Sequence, residues 1–175
     1  MFIDVQYDFC KGSLAIPGAE AQLPALQLFL DKAELYSLAI LTGDKHPEKH
    51  SSFQAQGGPW PQHCVDGTGG QEVLLDTSTT KVPVTFVWKG TAEDGDAYSA
   101  FGNAEMDYLI RKLRITQVDI CGWALDYCVK HTALDAAKRG LKTRVLLHLT
   151  SAVDPGKIDV VVQELRAAGV EVVEA

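Results

Sequence analysis

The sequence predicts an α/β fold: three layers, α/β/α, around a mostly parallel, roughly six-stranded sheet. Short apolar runs alternate with segments of helical spacing over the whole length, the order that builds parallel sheets through helical crossovers. The run Leu38-Ala39-Ile40-Leu41-Thr42 is continuously apolar, as in a strand buried on both faces. With 175 residues and 46% hydrophobic content the chain can bury one core unaided, and no repeat or linker divides it. Residues 1–175 therefore read as a single domain.

The first strand, over 2–5, is short because only Met1, Phe2 and Ile3 precede Asp4, unless residues precede Met1. Gln6, Tyr7 and Asp8 read as a polar turn. Leu23, Leu26, Leu30 and Ala33 recur at helical spacing and predict a helix over 20–36, with Pro24 tolerable only near its first turn. The second strand spans 38–42. Residues 44–81 have no period and are rich in Gly, Pro, Ser, Gln and His; such long irregular stretches are usually functional or disordered, and Trp60, Pro61 and three histidines argue against disorder. A strand over 82–88 ends at Lys89, and a loop follows over 90–102. Met106, Leu109, Ile110 and Leu113 mark a helix ending near Arg114, before a strand over 118–121. Val129, Ala133, Ala136 and Ala137 place a helix from about Asp126, a candidate N-cap, to Gly140, a fitting C′ residue. Gly122 supplies the sharp turn into it. A strand over 144–149, a helix over 158–168 and a strand over 170–173 complete the pattern.

Composition excludes several classes. A formal net charge of −7 argues against nucleic acid or an anionic membrane, both of which need a basic face. No apolar run is long enough to cross a bilayer, and no signal peptide is expected. Cys10, Cys64, Cys121 and Cys128 form no C-x-x-C pair and no dense framework, which suits a reducing compartment and predicts a cytoplasmic protein. The expected partner is a small molecule, with a homo-oligomer left open.

In such a sheet, ligands collect outside the carboxyl ends of the strands. Asp4, Lys89 and Cys128 all fall there: a carboxylate, an ammonium and a thiol able to act as base, electrostatic partner and nucleophile. Cys128 lies in the first turn of its helix, where free amides and the helix dipole should favour a thiolate and lower its pKa. Each has a plainer role open to it. A free cysteine is often a small buried hydrophobe, Asp4 could cap a turn, and Lys89 could be a solvated strand end. Their shared edge favours chemistry. A second group is Asp44-x-His46, with His50 and His63 in the same loop: two or three imidazoles and a carboxylate suit Zn²⁺, Fe²⁺ or Mn²⁺. The plainer reading is three loop histidines that only hydrogen-bond.

Asp4-Val5-Gln6-Tyr7-Asp8-Phe9 resembles the opening signature of the nicotinamidase/pyrazinamidase branch of the isochorismatase-like cysteine hydrolases. Gly43-Asp44-Lys45-His46-Pro47, Trp60-Pro61-Gln62-His63-Cys64, Ala97-Tyr98-Ser99-Ala100-Phe101 and Asp126-Tyr127-Cys128-Val129 are similar to its later motifs, in order. The resemblance implies an isochorismatase-like, Rossmann-like fold, with Asp4, Lys89 and Cys128 as catalytic triad. It further implies a cis peptide at Trp123–Ala124 and an oxyanion hole from the Ala124 and Cys128 amides. Asp44, His46 and His63 would hold one divalent metal, zinc foremost, with His50 a ligand in only some members. Phe9, Trp60 and Tyr98 would wall the pocket. Two positions depart from the family pattern: Trp123 replaces a smaller β-branched residue, which adds it to the pocket candidates, and Leu125 replaces a frequent threonine. The implied activity is hydrolysis of nicotinamide, and of its analogue pyrazinamide, to acid and ammonia through a cysteine thioester, a step of NAD salvage. The same triad acting on an N-carbamoyl or ureido compound is the rival within hydrolases, and a sensor cysteine on an inert fold is the rival outside them.

Overall fold

The computed structural model describes residues 1–95 and 98–174. Ala97, in the fourth motif above, lies outside them. Six parallel strands form one sheet in the order β3-β2-β1-β4-β5-β6. They are β1 (Phe2–Ile3), β2 (Ala39–Asp44), β3 (Val84–Lys89), β4 (Gln117–Trp123), β5 (Lys142–Ser151) and β6 (Glu171–Val173). The expected three-layer α/β/α architecture is the observed one.

Side chains alternate between two cores, as successive residues of a strand must. Ile3, Ile40, Val87 and Ile120 face one side, with Met106 and Ile110 of α3 (Ala104–Lys112), Ala133 and Ala136 of α4 (Lys130–Lys138), and Val161 and Leu165 of α5 (Ile158–Ala167). Phe2, Leu41 and Cys121 face the other, against Phe9 of α1 (Tyr7–Cys10) and Leu26 and Leu30 of α2 (Ala19–Asp31). Each fully buried leucine contributes about 1.5–3 kcal/mol.

Several boundaries differ from expectation. Gln6, Tyr7 and Asp8 open the short helix α1 instead of a plain turn. Helix α2 stops at Asp31, and Ala33–Leu35 form a separate 3₁₀ turn in place of a helix to Tyr36. Pro24 lies in the second turn of α2; it is exposed, so water can take the carbonyl it leaves unpaired. Asp126 is no N-cap. Its carboxylate accepts the amides of Val153 (2.9 Å) and Asp154 (3.0 Å), tying the segment after β4 to the one after β5. Gly122 is still inside β4, with φ of 104°; a Cβ there would lie 2.2 Å from the Ile3 carbonyl oxygen, so close approach of β1 requires glycine.

Candidate active site

Strand order reverses at β1, whose neighbours β2 and β4 lead away in opposite directions, so the crevice beyond its carboxyl end is where such folds bind ligands. Asp4 follows β1, Asp44 and Lys89 end β2 and β3, and Cys128 follows β4. All four are buried.

Asp4 has a φ of 49°, a conformation that aspartate tolerates better than most residues. Its amide donates to the Thr42 carbonyl at 3.2 Å, and its Oδ1 accepts from the Thr42 hydroxyl at 2.7 Å. Lys89 Nζ lies 2.8 Å from Asp4 Oδ2, 2.5 Å from Asp44 Oδ1 and 3.4 Å from Cys128 Sγ. One ammonium thus bridges two carboxylates and the thiol. Burial pulls the Lys89 pKa down, but the two carboxylates more than offset it and hold the amine well above its ordinary value, hence charged.

The thiol contradicts the expectation from the helix dipole. Burial pushes the Cys128 pKa well above its usual range, and the nearby carboxylates add to this against the opposing pull of Lys89. Burial also raises Asp4, partly countered by Lys89. Cys128 sits within Leu125–Val129, a wide π-type turn preceding α4 and not the first turn of a regular α-helix, so desolvation outweighs the dipole. Burial thus favours the neutral thiol at Cys128, with the Asp4 carboxyl in the same buried cluster. The bond Trp123–Ala124 is cis, and among the described residues no acceptor meets the Ala124 N–H.

Nearby, Asp44 Oδ2 lies 3.4 Å from His46 Nε2 and 3.9 Å from His63 Nε2. His46 Nδ1 engages the Gly90 carbonyl at 2.9 Å and His63 Nδ1 the Pro61 carbonyl at 2.7 Å, which leaves both Nε2 atoms as lone pairs directed to the cluster. Donors about 2.1 Å from one ion stand roughly 3–3.5 Å apart, so this set fits a divalent cation with further positions open. Burial first, and then Lys89 and His46, set the Asp44 pKa; the net shift is well downward, keeping it anionic. Gln6 holds its backbone, accepting from Asp44 N and donating to Asp44 O, each at 2.8 Å. His50 packs on His46 with ring centroids 4.1 Å apart, but the ligand atoms that gather within 4.8 Å belong to Asp44, His46 and His63.

Asp44, His46, His63 and Cys128 open on a cavity of about 250 Å³ that Phe9, Leu14, Ile16, Trp60, Tyr98 and Tyr127 also line. The Trp60 indole N–H donates to the Tyr98 hydroxyl at 2.9 Å, and the Tyr127 ring meets Trp60 edge-on. Trp123 is absent from this wall. Its side chain is fully buried in the core that α2 covers, where its indole N–H donates to Gln22 Oε1 of α2 at 2.9 Å. Contributors missed in sequence include Thr42, a lone hydroxyl within β2, Gln6, which holds the Asp44 backbone, and the cavity-lining Leu14, Ile16 and Tyr127.

The fold and this pair of clusters define a class: the chain belongs to the isochorismatase family, matching the Isochorismatase domain over residues 1–175. Among curated proteins it is 37% identical to a nicotinamidase/pyrazinamidase of Mycobacterium tuberculosis, over 99% of this chain and 96% of that one. Among solved structures it resembles the pyrazinamidase of Pyrococcus horikoshii in complex with zinc (TM-score 0.92, 34% identity, 99% and 97% of the two chains). The yeast nicotinamidase bound to the inhibitor nicotinaldehyde is similar as well (TM-score 0.89, 30% identity, 99% and 98%).

Proposed function

We propose that this chain is a nicotinamidase, an amidohydrolase that converts nicotinamide to nicotinate and ammonia. The observation that carries this reading is the single lysine shared by Asp4, Asp44 and Cys128 at the base of an aromatic cavity that also meets the His46–His63 pair. Nicotinamidases and a zinc-bound pyrazinamidase among its relatives support the same substrate and zinc as the metal.

The chemistry follows from the protonation states. Asp4 takes the Cys128 proton and becomes neutral as the sulfur attacks the carboxamide carbon, and Lys89 stabilises the negative charge that passes from the carboxylate to the sulfur. The Ala124 and Cys128 amides hold the developing oxyanion, each such donor lowering the barrier by about 3 kcal/mol. Asp4 returns the proton to the departing nitrogen, ammonia leaves, and a thioester remains. Asp4 then draws a proton from water, which attacks the thioester and releases nicotinate. Asp44, His46 and His63 would hold the metal, which would supply Lewis-acid chemistry for orienting the pyridine ring. Phe9, Trp60 and Tyr98 enclose that ring.

Four free, buried cysteines and the absence, among the described residues, of a helix long and apolar enough to cross a membrane fit the expected cytoplasmic location. Ammonia release from nicotinamide, pyrazinamide and an N-carbamoyl compound, each with and without chelator, tests the function. Chelator-sensitive release from the pyridine and pyrazine amides supports it; turnover of the ureido substrate alone refutes it.

A further inference from the structure

We propose that His131 is a positioning residue: its ring backs Tyr98 from outside the substrate cavity and holds the aromatic wall to the helix that follows Cys128. This rests on the substrate reading above. The Tyr98 hydroxyl accepts from the Trp60 indole N–H at 2.9 Å, and its ring meets Tyr127 at a centroid distance of 5.4 Å. Trp60 and Tyr127 belong to the same wall, so these contacts tie the wall to itself. His131, in the first turn of α4, adds a contact from behind. Its ring stacks on Tyr98 with centroids 5.3 Å apart and planes inclined by 25°.

The wall is thin at this point. Tyr98 and Tyr127 line the substrate cavity and also a second cavity of about 320 Å³ behind it, to which His131 and Lys130 contribute. A ring that borders two spaces can turn into the rear one through its side-chain torsions unless something stands there. His131 stands there, on a helix whose Ala133 and Ala136 are packed into the core.

The chain on from Tyr98 is bound to the same helix. Thr132, fully buried, accepts the Ala100 amide at 3.1 Å, and the Arg139 guanidinium just past α4 lies 4.5 Å from the Phe101 ring centroid. These contacts fix the backbone of the segment, while the direction of the Tyr98 ring depends on what its side chain meets. Helix α4 continues from the turn that carries Cys128, so one element sets both the nucleophile and the back of the wall that faces it. His131 thus acts on the fit of the substrate ring through Tyr98, and not on the Asp4–Lys89–Cys128 group.

Nicotinamide turnover by His131→Ala, His131→Gln and His131→Phe tests this. Losing the aromatic contact behind Tyr98 should raise KM about two- to tenfold in His131→Ala, with kcat within about twofold of wild type. His131→Gln, of similar length but without a ring, should behave alike. Phenylalanine restores a ring without the imidazole nitrogens, so His131→Phe should return KM to within about twofold of wild type. An unchanged KM in both ringless variants, a kcat that falls as far as kcat/KM, or a His131→Phe no better than His131→Gln overturns the proposal. Crystal structures of wild type and His131→Gln give a readout that needs no activity. Tyr98 should keep its bond to Trp60 in the first and be displaced toward the rear cavity in the second; an unmoved Tyr98 overturns the assignment. A wild type inert toward nicotinamide would instead refute the substrate reading, and the two structures would then decide the role of His131 alone.

Discussion

Replacing Lys89 with methionine keeps the length of the side chain and deletes the charge that three buried groups share. At an effective dielectric of about 20, the contacts at 2.8 Å to Asp4 and 2.5 Å to Asp44 each correspond to a gross attraction of about 6 kcal/mol. Desolvation cancels much of this, and breaking buried pairs costs about 3–5 kcal/mol, because the abandoned carboxylates stay buried. For a chain of this size that lowers Tm by roughly 6–20 °C. The deficit depends on pH with a definite sign. Without the ammonium, burial holds both carboxyl pKa values above their unfolded values. The penalty is therefore full at neutral pH and shrinks as pH falls, being smallest below about 3.9, where the carboxyls become protonated in the unfolded state as well. Thermal unfolding of Lys89→Met and wild type at several pH values measures this, with Asp4→Asn/Lys89→Met as the second variant. Removing one of the two stranded charges should recover part of the lost stability. A Tm loss under about 3 °C, a deficit that grows on acidification, or a double variant less stable than Lys89→Met would refute the reasoning.

Other perturbations probe separate parts of the fold and cavity. Asp119 is buried against Arg144, which donates to Oδ1 at 2.7 Å, and Tyr36; these partners outweigh burial and hold its pKa below the ordinary value. Asp119→Asn should cost about 2 kcal/mol at pH 7, with the wild-type and variant denaturation midpoints converging as pH falls below about 3.9. Midpoints that stay apart there would contradict it. Gly122→Ala forces a Cβ to 2.2 Å from Ile3 O at a φ of 104°, and should destabilise by about 3 kcal/mol or more, or abolish soluble expression; a wild-type Tm would disprove the close approach. Trp60→Phe keeps a ring but loses the hydrogen bond to Tyr98, so KM for nicotinamide should rise about three- to tenfold with little change in kcat. An unaltered KM would remove Trp60 from substrate positioning.

What could be read from the sequence was whatever a single periodic signal determines. The apolar run ending at Thr42 reports a strand buried on both faces, and β2 is buried at every position. Alternation of such runs with helical segments is enough to put Asp4, Lys89 and Cys128 at one edge. Features decided by contacts distant in sequence were not legible. Whether Trp123 faces the cavity or α2 depends on the alternation register of β4 and on Gln22, 101 residues away. Asp126 has the residue type of an N-cap, yet its partners are two amides beyond β5. The direction of the Cys128 shift failed for a related reason: a helix-terminus argument counts local dipoles, while the burial that outweighs them comes from the whole fold.

Ammonia release by metal-loaded Cys128→Ala is the most direct measurement. With the sulfur removed, the carboxyl at Asp4, the amine at Lys89 and the cavity all remain, but nothing can form the acyl bond. Turnover of nicotinamide should fall by at least about 10⁴-fold, as when other nucleophiles are deleted, while nicotinamide binding persists. Release within about tenfold of wild type would mean that water attacks the amide without the cysteine, and would contradict the account.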